Sequence, residues 1–426
     1  MHMAPEYRET NTFAESALPW VVCFCASLFF FYEFIQGNMF ASLADNIMHD
    51  FHIKADKMSW LSSSYYLSNV IFLFIAGLVL DKYSTKKIIM AAMLLCVLST
   101  FVLASTYSFY VAMLCRFVIG IGSAFCFLGP IRLASRWFPP RRMAMITGAI
   151  VTMAMTGGML AQYPLTKLVA QIGWREALMQ VGYLGVVILV VMYFGIIEKS
   201  RTATSTIAKD IKISKIIKQV YLNSQTMRAA LYSSLMNMAI AVFGAMMGTL
   251  YLVQRLGVSK EEAAIVNSML FLGAIIGGPF IGWCSDKIGL RVLPMKVGVI
   301  ASIVILVITI FCPVPLSAMK VLFFLLGFFT AAQIISYALV AESSPSSLTA
   351  TAVGVVSLFV QGGYIVYQNI FGLLLTAHGE MTMLNGTPVY SLADYQHAAL
   401  ILPLGLLLAY FALSGLKETH GQQLEG

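Results

Sequence analysis

The chain has 426 residues, 59% of them hydrophobic and only 11% charged, with a mean hydropathy of +0.83. An ordinary soluble domain carries about 25% charged residues, so this composition excludes one and indicates a polytopic membrane protein. The net charge of +8 does not signal a nucleic-acid partner, because Lys and Arg collect in alternate loops instead of forming one patch.

A polar segment, 1–17, precedes the first apolar run. That run is too long for a signal-peptide core and has no clear small-residue cleavage site, so it reads as a retained helix. Runs able to cross a core of ~30 Å as helices follow. They lie near 18–39, 58–80, 87–107, 109–135, 143–168 and 175–197, then near 226–254, 262–284, 291–311, 317–340, 348–376 and 395–416. A β-barrel would instead give shorter, alternating segments. Two six-helix blocks, 18–197 and 225–416, are thus separated by a polar, basic linker at 198–224, with a tail at 417–426. The linker contains IAKDIKISKIIKQ, a pattern suited to a short interfacial helix.

Basic residues orient the chain. Lys82, Lys86 and Lys87, then Arg136, Arg141 and Arg142, then seven between Lys199 and Arg228, then Lys287, Arg291 and Lys296 all fall in loops on one side. The opposite side holds a sparse set such as Lys54, Lys57, Lys167 and Arg175, so both termini are expected in the cytoplasm.

The chain repeats itself. Gly77, Asp81 and Lys82 of GLVLDKYSTKK return as Gly282, Asp286 and Lys287 of GWCSDKIGLR, a shift of 205 residues. The same shift carries Gly122 to Gly327, Pro140 to Pro345, and Gly157-Gly158 to Gly362-Gly363, which indicates duplication.

Glu33 lies in FFFYEFIQGN and Arg116 in RFVIGIG, both inside apolar runs. With the first helix running outward and the fourth inward, Glu33 sits about 22 Å above the start of its span and Arg116 about 10 Å below the end of its own. Their depths match, and a charge at that depth is costly unless it has a partner or a task. Glu33 is the candidate proton carrier; Arg116 is its counter-ion or an anchor for a substrate carboxylate. A permanent ion pair that merely holds helices together is the competing explanation. Asp81, Lys82, Asp286 and Lys287 end helices at the basic face, where they can latch one conformation. Arg132, one turn from Arg136, is expected to pair with the Asp81 loop rather than touch substrate.

These motifs resemble the major facilitator superfamily: G-x-x-x-D-[KR] between helices two and three, repeated between eight and nine, and R-x-x-x-G-x-G in helix four. Ser84 stands where the family pattern usually has glycine; Gly289 keeps it in the second copy. The resemblance implies an all-α membrane fold of twelve transmembrane helices in two six-helix bundles, working by alternating access around a midplane substrate site, usually as a monomer. It implies that helices one, four, seven and ten, with parts of two, five, eight and eleven, line the cavity. Candidate substrate contacts there are Gln36, Tyr65, Tyr66, Asn69, Gln162, Tyr163, Asn237, Asn267, Gln333, Tyr337, Gln361, Tyr364 and Gln368, or else these groups join helices to one another. Gln361, Tyr364 and Gln368 share one helical face. The fifth helix lacks the Gly-Pro element of resembling antiporters, which counts against drug efflux.

Neither a P-loop nor a GxSxG is present, nor a CxxC pair among the seven cysteines, and the six histidines do not cluster. No cofactor, metal or enzymatic activity is indicated, so transport must draw on ion or solute gradients. The expected function is secondary, proton-coupled import of a small polar metabolite such as an amino acid across a bacterial inner membrane. The first two helices and short loops resemble nutrient permeases of the phagosomal nutrient transporter group. An organic anion, a nucleoside or a siderophore is the alternative cargo, an exporter the alternative direction, and a non-transporting receptor the alternative class. The expected partners are the substrate, protons and the lipid bilayer.

Overall fold

A computed structural model of the chain describes residues 12–138, 142–198, 223–345, 348–377, 382–384 and 387–422. Most of the basic linker, 199–222, lies outside the described residues, and with it the expected interfacial helix.

The N-terminal bundle comprises α1 (Thr12–Asn38), α2 (Phe40–Asp50), α3 (Ala55–Lys82), α4 (Thr85–Ser105), α5 (Phe109–Ser123), α6 (Leu128–Trp137), α7 (Met143–Leu160), α8 (Tyr163–Ile172) and α9 (Trp174–Gly195). The C-terminal bundle opens with α10 (Ser224–Met236), passes through a π-helix (Ile240–Met247), and continues as α11 (Gly248–Leu256), α12 (Lys260–Ile288) and α13 (Val292–Phe311). It is completed by α14 (Leu316–Thr330), a 3-10 turn (Ala331–Ile334), α15 (Ile335–Glu342), α16 (Thr349–Ala377), α17 (Leu392–Ala399) and α18 (Ile401–Leu413). Among the described residues, eleven helical stretches are long and apolar enough to cross a membrane. The remaining expected span, α3, is a continuous helix of 28 residues.

Three features depart from twelve plain helices. Expected spans four, five, seven, ten and twelve are each interrupted by a turn, a π segment or a 3-10 segment. The stretch 40–50, expected as loop, is the amphipathic α2, whose buried Phe40, Leu43, Ala44, Ile47 and Met48 follow helical spacing. Strands β1 (Thr382–Leu384) and β2 (Thr387–Val389) pair antiparallel, and the sequence between them is Asn-Gly, a dipeptide that favours hairpins.

The bundles meet symmetrically, α3 against α16 and α7 against α12, the pairings that the internal repeat relates. Close contact needs small residues. A Cβ on Gly157 would lie 2.1 Å from the Phe31 carbonyl of α1, and one on Gly363 would lie 2.2 Å from the Ser234 hydroxyl of α10. Side-chain hydrogen bonds and ion pairs between the bundles gather toward the face opposite the termini, the distal face. There Lys260 pairs with Asp45 at 2.5 Å, and the Ala55 amide donates to the Tyr390 hydroxyl at 3.0 Å. At the terminal face, the described ion pairs each stay within one bundle.

Candidate functional site

Helix α1 brings Glu33 and Gln36 into the centre of the N-terminal bundle, both fully buried. Tyr65 of α3 donates its hydroxyl hydrogen to Glu33 Oε2 at 3.2 Å, while Glu33 Oε1 has no hydrogen-bond partner. Arg116 of α5, also fully buried, donates from one terminal nitrogen to the Gln36 carbonyl at 2.8 Å and from the other to the Ser62 carbonyl at 3.4 Å. Its guanidinium lies between two rings, 4.5 Å from the Phe40 centroid and 4.7 Å from that of Tyr65.

The expected counter-ion contact between Glu33 and Arg116 is therefore not made directly. Tyr65 stands between them, its ring against the cation and its hydroxyl on the carboxylate. The reason is geometric: two carbonyls and two ring faces already occupy the guanidinium, which desolvation makes favourable partners.

The remaining polar candidates fall into three groups. Asn69 donates to Ser123 at 2.7 Å and accepts from Gln361 of the other bundle at 3.4 Å, with the Tyr66 and Tyr364 rings packed 4.5 Å apart nearby. Tyr66 also donates to the Gly37 carbonyl. In the C-terminal bundle Gln333 accepts from Ser233 at 2.8 Å, Asn237 donates to the Ser233 carbonyl, and Tyr337, partly buried, packs against this core. Gln162, Asn267 and Gln368 form the third group, around the π-helix. Tyr163 is tied to that region through its amide, which donates to Ser268. The helical face expected for Gln361, Tyr364 and Gln368 is thus divided: the first two meet the opposite bundle and Gln368 turns to the π-helix.

At the terminal face the latch residues have partners the repeat did not reveal. Arg136 binds Glu198 at 2.7 Å; Arg132 lines a cavity of about 230 Å³ with Gly77, Leu80, Leu128 and Ile131, beside the last turn of α3. The Asp81 side chain lies outside the described residues. Asp286 pairs with Arg291, which also grips Glu342, whereas Lys82 and Lys287 rest over Tyr83 and Trp283.

Two carboxylates at this face are not among the residues singled out from the sequence. Glu198 accepts the Ser84 hydroxyl and the Thr85 amide at 2.9 Å, closing the N-terminus of α4; Glu418 accepts the Arg291 and Val292 amides at 2.5 and 2.9 Å, closing α13. A carboxylate there complements the exposed amides and the helix dipole. The signal was present: Glu198 ends GIIE and Glu418 ends GLKE, one after each six-helix block. Burial pushes the Glu198 carboxyl up, but the bonds from Ser84, Arg136 and the Thr85 amide outweigh it and hold the group below its usual range.

The sequence model of the Major Facilitator Superfamily matches residues 22–250 and 229–423. A hexuronate transporter of Bacillus subtilis (strain 168) is 21% identical over 350 residues, covering 79% of this chain and 77% of that one. A protein described as a probable galactarate/D-glucarate transporter of Escherichia coli (strain K12) is 22% identical, covering 78% and 81%. Among solved structures, a bacterial homologue of the human lysosomal transporter Spinster, inward-facing and unoccupied, superposes with a TM-score of 0.72 at 18% identity, covering 93% of this chain and 97% of that one. The nucleoside transporter NupG gives 0.68 at 14% identity, covering 93% and 100%. This chain belongs to the Major Facilitator Superfamily and is a multi-pass membrane transporter.

Proposed function

We propose that this transporter couples proton movement to uptake of a small, carboxylate-bearing polar metabolite. The observation that carries the reading is the arrangement of Glu33 and Arg116. A structural ion pair in hydrocarbon would be expected to close directly, since breaking or separating buried charges costs several kcal/mol. Here a carboxyl with one hydrogen bond and one unpartnered oxygen stands apart from the cation, with the Tyr65 phenol between them. Such a group can exchange a proton when the cavity opens to it, and its link through Tyr65 to Arg116 gives substrate binding a route to influence that exchange.

Among cargoes, the relatives favour an organic anion, because the names of two describe transporters of sugar acids. An amino acid, expected from the sequence, is the second reading, favoured by a site with both charge signs. The neutral amides and phenols Asn69, Gln333, Tyr337 and Gln361 supply hydrogen bonds for hydroxyl groups in either case. The gating set joins Asp81, Lys82, Arg132, Arg136, Asp286 and Lys287 to the missed residues Arg291, Glu342, Glu198 and Glu418. With the termini in the cytoplasm of a bacterial inner membrane, the distal face, where the bundles are joined, is the outer one, and one monomer suffices for the cycle.

The test is uptake into proteoliposomes of labelled hexuronates, aldarates and amino acids, with and without an inward proton gradient. The expected result is gradient-driven accumulation of one class. Glu33→Gln should abolish accumulation and spare exchange of the same cargo; uptake indifferent to the gradient would overturn the coupling.

A further inference from the structure

All eight residues of the π-helix Ile240–Met247 are buried. A π turn widens the helix and displaces its carbonyls from the regular ladder, and in a membrane interior such groups require partners. Three carboxamides, two on helices and one on a turn, supply them. Gln368 of α16 donates to the Ala241 carbonyl, Asn267 of α12 to that of Phe243, and Gln162, between α7 and α8, to that of Gly244, each at 2.9 Å. Gln368 and Asn267 belong to the same bundle as the π-helix. Gln162 belongs to the other, and its Oε1 accepts from Asn267 at 2.7 Å.

We infer that Gln162 is a state-selective tie that positions the π-helix for closure of the distal face. The two ties inside the C-terminal bundle travel with the π-helix as a unit. The Gln162 tie spans the surfaces that must part when the distal face opens, beside the Gly158 contact with Phe271. It therefore stabilises only the closed arrangement, and water entering from the opened face takes over the Gly244 carbonyl. A bond made in one state and not the other shifts the balance between them by its net worth, here about tenfold. The inference rests on the alternating-access reading but not on proton coupling or on any cargo.

The test is hydrogen–deuterium exchange on the full-length protein in lipid nanodiscs without substrate. Gln162→Met should raise exchange about tenfold at 40–55 and 238–256, with the terminal-face window 284–292 unchanged. Gln368→Met, which removes a tie within one bundle, should raise exchange at 238–248 alone. Should Gln162→Met misfold, Gln162→Leu likewise removes the donor to Gly244, and the same pattern is expected. Parent-like exchange at 40–55, or equal increases at both faces, would show Gln162 to be ordinary packing glue and overturn the inference. Because no substrate is used, a failed proton-coupling assay leaves this outcome readable.

Discussion

Tyr65 has two separable tasks, and two substitutions distinguish them. Tyr65→Phe keeps the ring on the Arg116 guanidinium but removes the hydrogen bond to Glu33. A hydrogen bond to a charged group is worth ~1.5–3 kcal/mol, so its loss should lower the melting temperature and cut coupled accumulation by tenfold or more. Tyr65→Leu also strips the cation of one ring, a further loss of ~1–2 kcal/mol, and should lower the melting temperature further. Equal melting loss in both variants would leave the ring over Arg116 without a stabilising part. Glu33, Arg116 and Tyr65 stand out in the sequence because charge and phenol in an oily run are conspicuous. The sequence does not place Tyr65 between the other two, since three helices far apart in the chain set that order and no local spacing encodes it.

At the scale of the element, helix ends carry the legible and illegible parts of the proposed latch. The duplicated Asp81 and Asp286 loops are visible as a shift of 205 residues, but the carboxylates that close α4 and α13 follow a shift of 220, from Glu198 to Glu418. The distal hairpin region before α17 accounts for the change in register. The π-helix had still less signal: IAVFGAMM is uniformly apolar, and the amides that hold it come from residues 162, 267 and 368. Glu198→Gln tests the cap. The folded-state group titrates below the usual carboxylate value of about 4.3, so its contribution is complete above that value and is lost as pH falls through the lower folded value. At pH 7 the variant should be less stable by about 1–2 kcal/mol, discounted for partial exposure. In strongly acidic buffer the melting curves of variant and parent should converge. A difference that persists undiminished there would remove the charge from the explanation.

For the whole molecule, the decisive asymmetry is where the bundles touch. Hydropathy and the repeat specify two bundles of helices, because each span must satisfy its own backbone in lipid whatever its neighbours do. They do not specify which face is closed, since both states use the same helices and differ only in contacts between distant side chains. The closed face is recorded instead in pairs such as Lys260 with Asp45, which joins the bundles with both side chains about 30% exposed. A partly exposed pair of this kind contributes ~0.5–1 kcal/mol, enough to change a two-state ratio two- to fivefold without deciding the fold. Asp45→Lys should therefore lengthen the distance between spin labels placed across the distal face in a larger fraction of molecules. Adding Lys260→Asp should restore the parent distribution, because the reversed pair rebuilds the attraction. If the double variant stays as open as the single one, the Asn46 contact to Lys260 or the Tyr390 bond to Ala55 dominates closure and the ion pair is incidental.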